Sequence, residues 1–163
     1  PMKRFDLMFG VNVRGTFCAS QACIPHLKKA ENPHILTLAS PLNMNPRWFA
    51  PHTAYTMAKY GMSLCVMGMA AEFKGDGIAV NGLWPRTLIG TAALQVIPGI
   101  DIGASRTPEI MADAAHAVLT RPSRECSGNF FIDDEVLAAE GVTDFDRYRT
   151  DPAKEPMQDL FVD

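Results

Sequence analysis

Within the segment YTMAK, Tyr55 and Lys59 stand four residues apart. On a helix that spacing puts a phenol and an ammonium on one face, one turn from each other. A phenol ionises near pH ~10, so a tyrosine exchanges protons at neutral pH only where a neighbouring positive charge favours its phenolate. Lys59 is spaced to supply that charge. The chemistry the pair points to is general acid–base transfer of a proton to or from an oxygen.

A helix that carries the pair spans about residues 53 to 74 and is ended by the GDG turn at 75 to 77, where glycine supplies a left-handed cap. On either side lie apolar runs of strand character, HILTLA at 34 to 39 and IAVNGLW at 78 to 84. Strand, crossover helix and strand form a right-handed βαβ unit, which implies a parallel sheet covered by helices. Residues 40 to 52, with three Pro and two Asn, form a loop. Upstream, Phe5, Leu7, Met8, Val11, Val13, Phe17, Ala19, Ala22 and Ile24 fit a long helix over residues 3 to 30. Its apolar surface wraps more than one face and needs cover from a sheet, from other helices or from another subunit. Downstream, residues 85 to 108 are too long for an ordinary connector and read as a substrate lid. A helix over 108 to 120, a strand at 129 to 133, then a short helix and an extended arm from Glu135 complete the chain.

In open parallel sheets, ligands bind beyond the carboxyl ends of the strands. The first strand delivers Ser40 to that edge and the second delivers Pro85, Arg86 and Thr87, while Tyr55 falls in the first turn of the intervening helix. Three segments therefore converge on one rim. Trp48 and Phe49 either line a substrate pocket there or anchor the loop, and Asp133 and Asp134 read as solvation of a strand end.

The composition narrows the partners. A chain of 163 residues with 47% hydrophobic content buries one ordinary core. With 20% charged residues and a net charge of -3, no broad basic field exists to attract nucleic acid or acidic lipid, so the partner is a small molecule or a protein. Cys18, Cys23, Cys65 and Cys126 form no C-x-x-C pair and read as reduced, buried thiols. His26, His34, His52 and His116 lack metal-ligand spacing, so no metal site is expected. No apolar run approaches the ~18 residues of a membrane span, and the start PMKRFD lacks a signal-peptide core, which points to a cytoplasmic protein. Because Pro1 is followed at once by an amphipathic pattern, the chain is expected to begin in mid-domain.

Four segments in order resemble motifs of the short-chain dehydrogenase/reductase family: NVRGTF at 12 to 17, ILTLAS at 35 to 40, AYTMAKYG at 54 to 61 and VNGLWP at 80 to 85. The resemblance implies an α/β fold, a Rossmann-type doubly wound parallel sheet, of which residues 1–163 are the C-terminal part of a single domain. Its N-terminal half, the first βαβ units with the glycine-rich loop, is expected before Pro1, since no G-x-x-x-G-x-G lies within this chain. It also implies hydride transfer between NAD or NADP and a small-molecule carbonyl or alcohol. By the same resemblance Tyr55 is the acid/base, and Lys59 lowers its pKa and holds the nicotinamide ribose. Asn12 anchors a water that relays the proton, and Ser40 hydrogen-bonds the substrate oxygen. Pro85, Thr87, Ile89 and Thr91 join Tyr55 and Lys59 around the cofactor. In the family the two long helices pair across subunits, which implies a homodimer or homotetramer with Met62, Val66, Met69 and Phe73 in core or subunit packing; a peroxisomal or mitochondrial location is also compatible with the family. The apolar lid residues Leu94, Val96, Ile97, Ile100 and Ile102 point to a hydrophobic substrate such as a fatty acyl or steroid-like carbonyl.

Two positions depart from the family pattern. Ser40 lies fifteen residues before Tyr55, two more than the family spacing, which puts Leu42 at the family position unless the loop carries an insertion. Ser40 is therefore either the substrate-binding serine or a cap on the strand end, with Asn43 and Asn45 as alternative donors. Arg86 follows Pro85 where the family usually has glycine. These departures keep open a dinucleotide-binding sensor or scaffold without turnover, and a third reading is an inactive fragment retained by oligomer packing.

Overall fold

The computed structural model describes residues 1–162; the expected domain extent, 1–163, closes on Asp163, which lies outside the described residues. The chain divides into two compact units, Pro1–Trp84 with Arg121–Phe131, and Pro85–Thr120 with Ile132–Asp163.

The first unit is built on a three-stranded sheet in the order β1-β2-β3, formed by β1 (His34–Thr37), β2 (Ala79–Trp84) and β3 (Phe130–Ile132). β1 and β2 are parallel, with His34 opposite Ala79 and Thr37 opposite Gly82, and the crossover between them contains α3 (Thr53–Glu72). This is the expected βαβ unit. β2 is buried at every residue, as a central parallel strand covered on both faces must be, which is why its sequence is nearly continuously apolar. Its one polar side chain is fully satisfied. Asn81 donates from Nδ2 to the Cys126 carbonyl at 2.7 Å and accepts at Oδ1 from the Asn129 backbone and side-chain amides, both at 3.0 Å. The segment leading into β3 is thereby pinned to β2. One residue on, Gly82 is required by close approach, since a Cβ there would lie 2.7 Å from the Phe130 ring.

The first long helix is interrupted. α1 (Met2–Phe9) and α2 (Gly15–Leu27) are joined by a π-helical turn at Gly10–Arg14, which apolar periodicity does not reveal because one inserted residue leaves the flanking pattern intact. Asn12 sits in the middle of that turn, and its Nδ2 donates to the Met8 carbonyl at 2.9 Å. The turn rests on α3 at Gly61, where a Cβ would come within 2.6 Å of the Val13 side chain.

The core of this unit gathers Met62, Val66, Met69 and Ala70 of α3 with Ala39, Ile78 and Val80, and Phe73 packs against it. Met62, Val66 and Met69 are thus core residues with Phe73 packed on them, which narrows their core-or-subunit reading to the core; the large apolar side chains that α3 exposes are Met57, Leu64 and Met67. The reading of the cysteines as uniformly buried is corrected, because Cys18 and Cys23 are exposed on α2 and only Cys126 is buried. Helical periodicity placed both sets on helices, but it does not say which face meets the sheet.

The second unit holds α4 (Ala92–Gln95), α5 (Glu109–Leu119) and α6 (Asp133–Ala139). Ile110, Ala114 and Val118 of α5 and Val136 and Leu137 of α6 are buried, each large side chain contributing roughly 1.5–3 kcal/mol by leaving water. The expected lid is strapped at its base. Leu88 N donates to Met157 O at 2.9 Å, Arg106 N to Leu88 O at 2.9 Å, and Gly90 N to Arg106 O at 2.8 Å. Within the segment Lys154 Nζ donates to Asp101 at 2.8 Å and Met157 N to Ala104 O at 2.9 Å, while Val96 and Ile97 are exposed.

Candidate active site

β1 ends at Thr37, and Leu38, Ala39 and Ser40 carry the chain past the carboxyl edge of the sheet. α3 begins at Thr53 after a loop held to the helix by several bonds. Thr56 Oγ1 donates to Trp48 O at 2.5 Å, Thr53 Oγ1 donates to Phe49 O at 2.8 Å, and the Tyr60 hydroxyl donates to the Asn43 carbonyl. Phe49 meets Tyr60 edge-on with ring centroids 5.5 Å apart. Phe49 and the Trp48 backbone therefore anchor the loop. Asn43 Oδ1 accepts from Asn45 N and Asn45 Oδ1 accepts from Arg47 N, both at 3.1 Å, so these oxygens shape the loop turns.

That scaffold fixes the first turns of α3, which carry Tyr55 and Lys59, both half-buried. The Lys59 ammonium donates to the Leu38 carbonyl at 3.3 Å. It lies 6.0 Å from the centroid of the Tyr55 ring and 5.1 Å from that of Trp84, the last residue of β2. His52 stacks near Tyr55, with centroids 6.1 Å apart and planes inclined by 15°. The structure therefore brings phenol and ammonium together at the carboxyl edge of the strands, as the i, i+4 spacing predicted. Tyr60, the neighbouring phenol, is different: burial pushes its pKa up and its hydroxyl is spent on Asn43. Sequence reasoning did not find Trp84, since an aromatic residue at the end of a buried strand reads as core.

Ser40 is fully buried; its carbonyl accepts from Ser63 Oγ at 2.7 Å, and its own hydroxyl is buried with no hydrogen-bond partner among the described residues. An unpartnered buried hydroxyl is costly, and its neighbours satisfy only the backbone. Leu42, at the family position, is half-buried. Asn12 is carried toward α3 by the packing of Val13 on Gly61, two residues beyond Lys59.

In the second unit, Pro85 and Thr87 are buried, Ile89 is half-buried and Thr91 is exposed at the start of α4. Thr87 bridges to Gln158 and Ile89 to Arg106, so backbone pairing on both sides defines the loop. Arg86 is the main side-chain tie. Its backbone N–H donates to Asp133 Oδ1 at 2.9 Å, its Nε reaches both oxygens of Asp134 at 3.0 and 3.1 Å, and its terminal nitrogen pairs with Glu135. Arg106 adds a bond to Asp134 Oδ2 at 3.3 Å. Asp133 also accepts from Asp134 N at 2.8 Å and is fully buried, so strand-end solvation is the wrong description of it. Burial pushes its carboxyl pKa up, against the pull of the two backbone N–H groups. The run DDE after a strand carried no sequence signal that its partner was Arg86. Among the described residues no cluster of His, Cys, Asp or Glu is arranged to hold a metal, and no helix is long and apolar enough to cross a membrane.

The chain is similar to known proteins along its whole length. Hydroxysteroid dehydrogenase-like protein 2 of Danio rerio is 54% identical over 164 residues, a match that covers 100% of this chain and 39% of that protein. A crystal structure of a Xanthomonas campestris protein assigned as a dehydrogenase superposes with a TM-score of 0.97 at 58% identity, covering 100% of this chain and 60% of that one. A Mycobacterium thermoresistibile short chain dehydrogenase superposes with a TM-score of 0.91 at 52% identity, covering 100% and 58%. The chain thus spans about two-fifths of the length of the curated relative and three-fifths of the solved ones. The resulting sheet is of the Rossmann-type doubly wound class, as expected. The family model for short chain dehydrogenase matches residues 1–97, the span that contains Asn12, Ser40, Tyr55, Lys59 and Pro85, and the chain belongs to the short-chain dehydrogenase family.

Proposed function

We propose that the full-length protein is an NAD- or NADP-dependent oxidoreductase acting on a hydrophobic carbonyl or alcohol, with Tyr55 as the acid/base and Lys59 as the charge that tunes it. The observation that carries this reading is the placement of the Lys59 ammonium beside the Tyr55 ring at the carboxyl edge of a parallel sheet. An ammonium and a phenol on one rim also fit the vicinal hydroxyls of a nicotinamide ribose. When bound, the cofactor supplies or accepts the hydride.

The residues of this chain do the rest. In the direction of reduction Tyr55 donates its hydroxyl proton to the substrate oxygen as negative charge develops there. The phenolate that remains is stabilised by the Lys59 charge, which the Leu38 carbonyl holds in place. Asn12, in the π turn packed on Gly61, would anchor the water that relays the proton from Lys59. Pro85, Thr87, Ile89 and Thr91 would border the nicotinamide, Arg86 being drawn onto Asp134 and Glu135 in place of the usual glycine. The apolar segment around Val96 and Ile97 suits a hydrophobic substrate.

The test is oxidation of NADH and NADPH by decanal with the full-length protein. Turnover should fall by about 10²–10⁴-fold in Tyr55→Phe, the range that a general acid contributes. The full burial of the Ser40 hydroxyl favours a second reading, a dinucleotide-binding sensor or scaffold without turnover. Under that reading the cofactor binds, neither cofactor is oxidised and Tyr55→Phe changes nothing; the first reading requires Tyr55→Phe to abolish a measurable rate.

A further inference from the structure

We propose that Trp84 is a positioning residue for Lys59, holding its ammonium by the face of the indole ring. The inference rests on the reading of Tyr55 and Lys59 given above. Lys59 Nζ is 5.1 Å from the Trp84 ring centroid and 6.0 Å from that of Tyr55, so Trp84 is the nearer ring. Indole also has the strongest π-face of the aromatic side chains, and a cation within about 6 Å of it is attracted by the ring quadrupole. The Tyr55 contact lies at the limit of that range; the Trp84 contact lies well inside it.

Trp84 is also the more rigid partner. It is 5% exposed and ends a strand that is buried throughout, whereas Tyr55 is half-buried in the first turn of a helix. A lysine side chain has four rotatable bonds and loses much freedom when held in one place. The contact with the Leu38 carbonyl, at 3.3 Å, is a long hydrogen bond. The indole face supplies a neutral point of attachment, so it holds the ammonium without adding a negative charge of its own beside it. The positive field at Tyr55 is thereby kept while its source is held still.

This role separates Trp84 from an ordinary core residue. A filler is replaced by any apolar side chain of similar bulk; a cation holder is replaced only by another aromatic face. In the full-length protein, oxidation of NADH and NADPH by decanal should fall about ten-fold in kcat for Trp84→Leu, with KM for decanal little changed. Trp84→Phe, which retains a weaker face, should lose no more than about three-fold. Equal losses in the two variants, or no loss in Trp84→Leu, would overturn the proposal.

A readout independent of turnover comes from protein labelled with ¹³C at the lysine ε-carbon, the Lys59 signal being assigned by its disappearance in Lys59→Arg. Protons above an indole face are shifted upfield by the ring current. The Lys59 ε-protons should therefore resonate upfield of free lysine in the wild type, and an unshifted signal would overturn the proposal even if Trp84→Leu failed to fold. If Tyr55→Phe turned over at the wild-type rate, the proposed function would fail, while the ring-current measurement would still decide whether Trp84 holds Lys59.

Discussion

Lys59, in the first unit, and Arg86, in the second, are two cations that are met in opposite ways. Lys59 meets a carbonyl at 3.3 Å and two ring faces. Arg86 meets carboxylates: both oxygens of Asp134 within 3.1 Å, Glu135 beside them, and Asp133 on its backbone N–H. The Asp134 side chain is only 16% exposed, so its pairing with Arg86 and Arg106 takes place largely out of water. A charge surrounded by carboxylates has its field cancelled within a few ångströms and serves to tie backbone segments together. A charge steadied by neutral dipoles and π-faces keeps its field. The first arrangement suits a strut and the second a group that acts on a neighbouring phenol.

The sharpest way to break this contrast is Lys59→Met, which should lower turnover of decanal by about 10²-fold or more while leaving the urea midpoint close to wild type, since the charge acts on chemistry rather than on the fold. Asp134→Ala comes next: it strips Arg86 and Arg106 of a shared partner and should cost about 2 kcal/mol in a urea melt. A stability unchanged by that variant would mean that the cluster is not a strut. A third test concerns pH. The folded-state pKa of Asp133 is raised by burial above the ordinary carboxyl value of 3.8. Its contribution to stability is thus fully present below that value and is lost as pH rises through the raised folded-state value. Wild type should therefore lose stability relative to Asp133→Asn as pH rises above the ordinary carboxyl range, and parallel profiles would refute the assignment. The smallest effect is expected for Arg86→Lys, which keeps the charge but loses the planar fork, at about 1 kcal/mol or less. A loss equal to that of Asp134→Ala would show that geometry, not charge, holds the loop.

Much of the first unit was legible in the sequence because its signals are local. The spacing of Tyr55 and Lys59 is a helical repeat, and β1, α3 and β2 follow from two apolar runs flanking an amphipathic segment. Other features depend on contacts that no local pattern encodes. The π turn at Gly10–Arg14 adds a residue to a helix whose flanks still look regular. Cys18 and Cys23 share an apolar helix with buried neighbours yet face outward, and Met62 and Met69 turn inward while Met57 and Met67 turn outward. The burial of Asp133 was misread for the same reason: its partner Arg86 is 47 residues away in the chain.

The sequence by itself determined the order of the elements, the parallel βαβ unit and the face of α3 on which the phenol and ammonium sit, because these follow from periods of two and 3.6 and from the backbone limits of glycine and proline. The tertiary structure alone decided what meets these groups: a carbonyl and two ring faces at Lys59, three acidic residues at Arg86, and no partner among the described residues for the buried hydroxyl of Ser40. Electrostatic environment is a property of distance in space, and groups far apart along the chain become neighbours only when the sheet and its covering helices have formed.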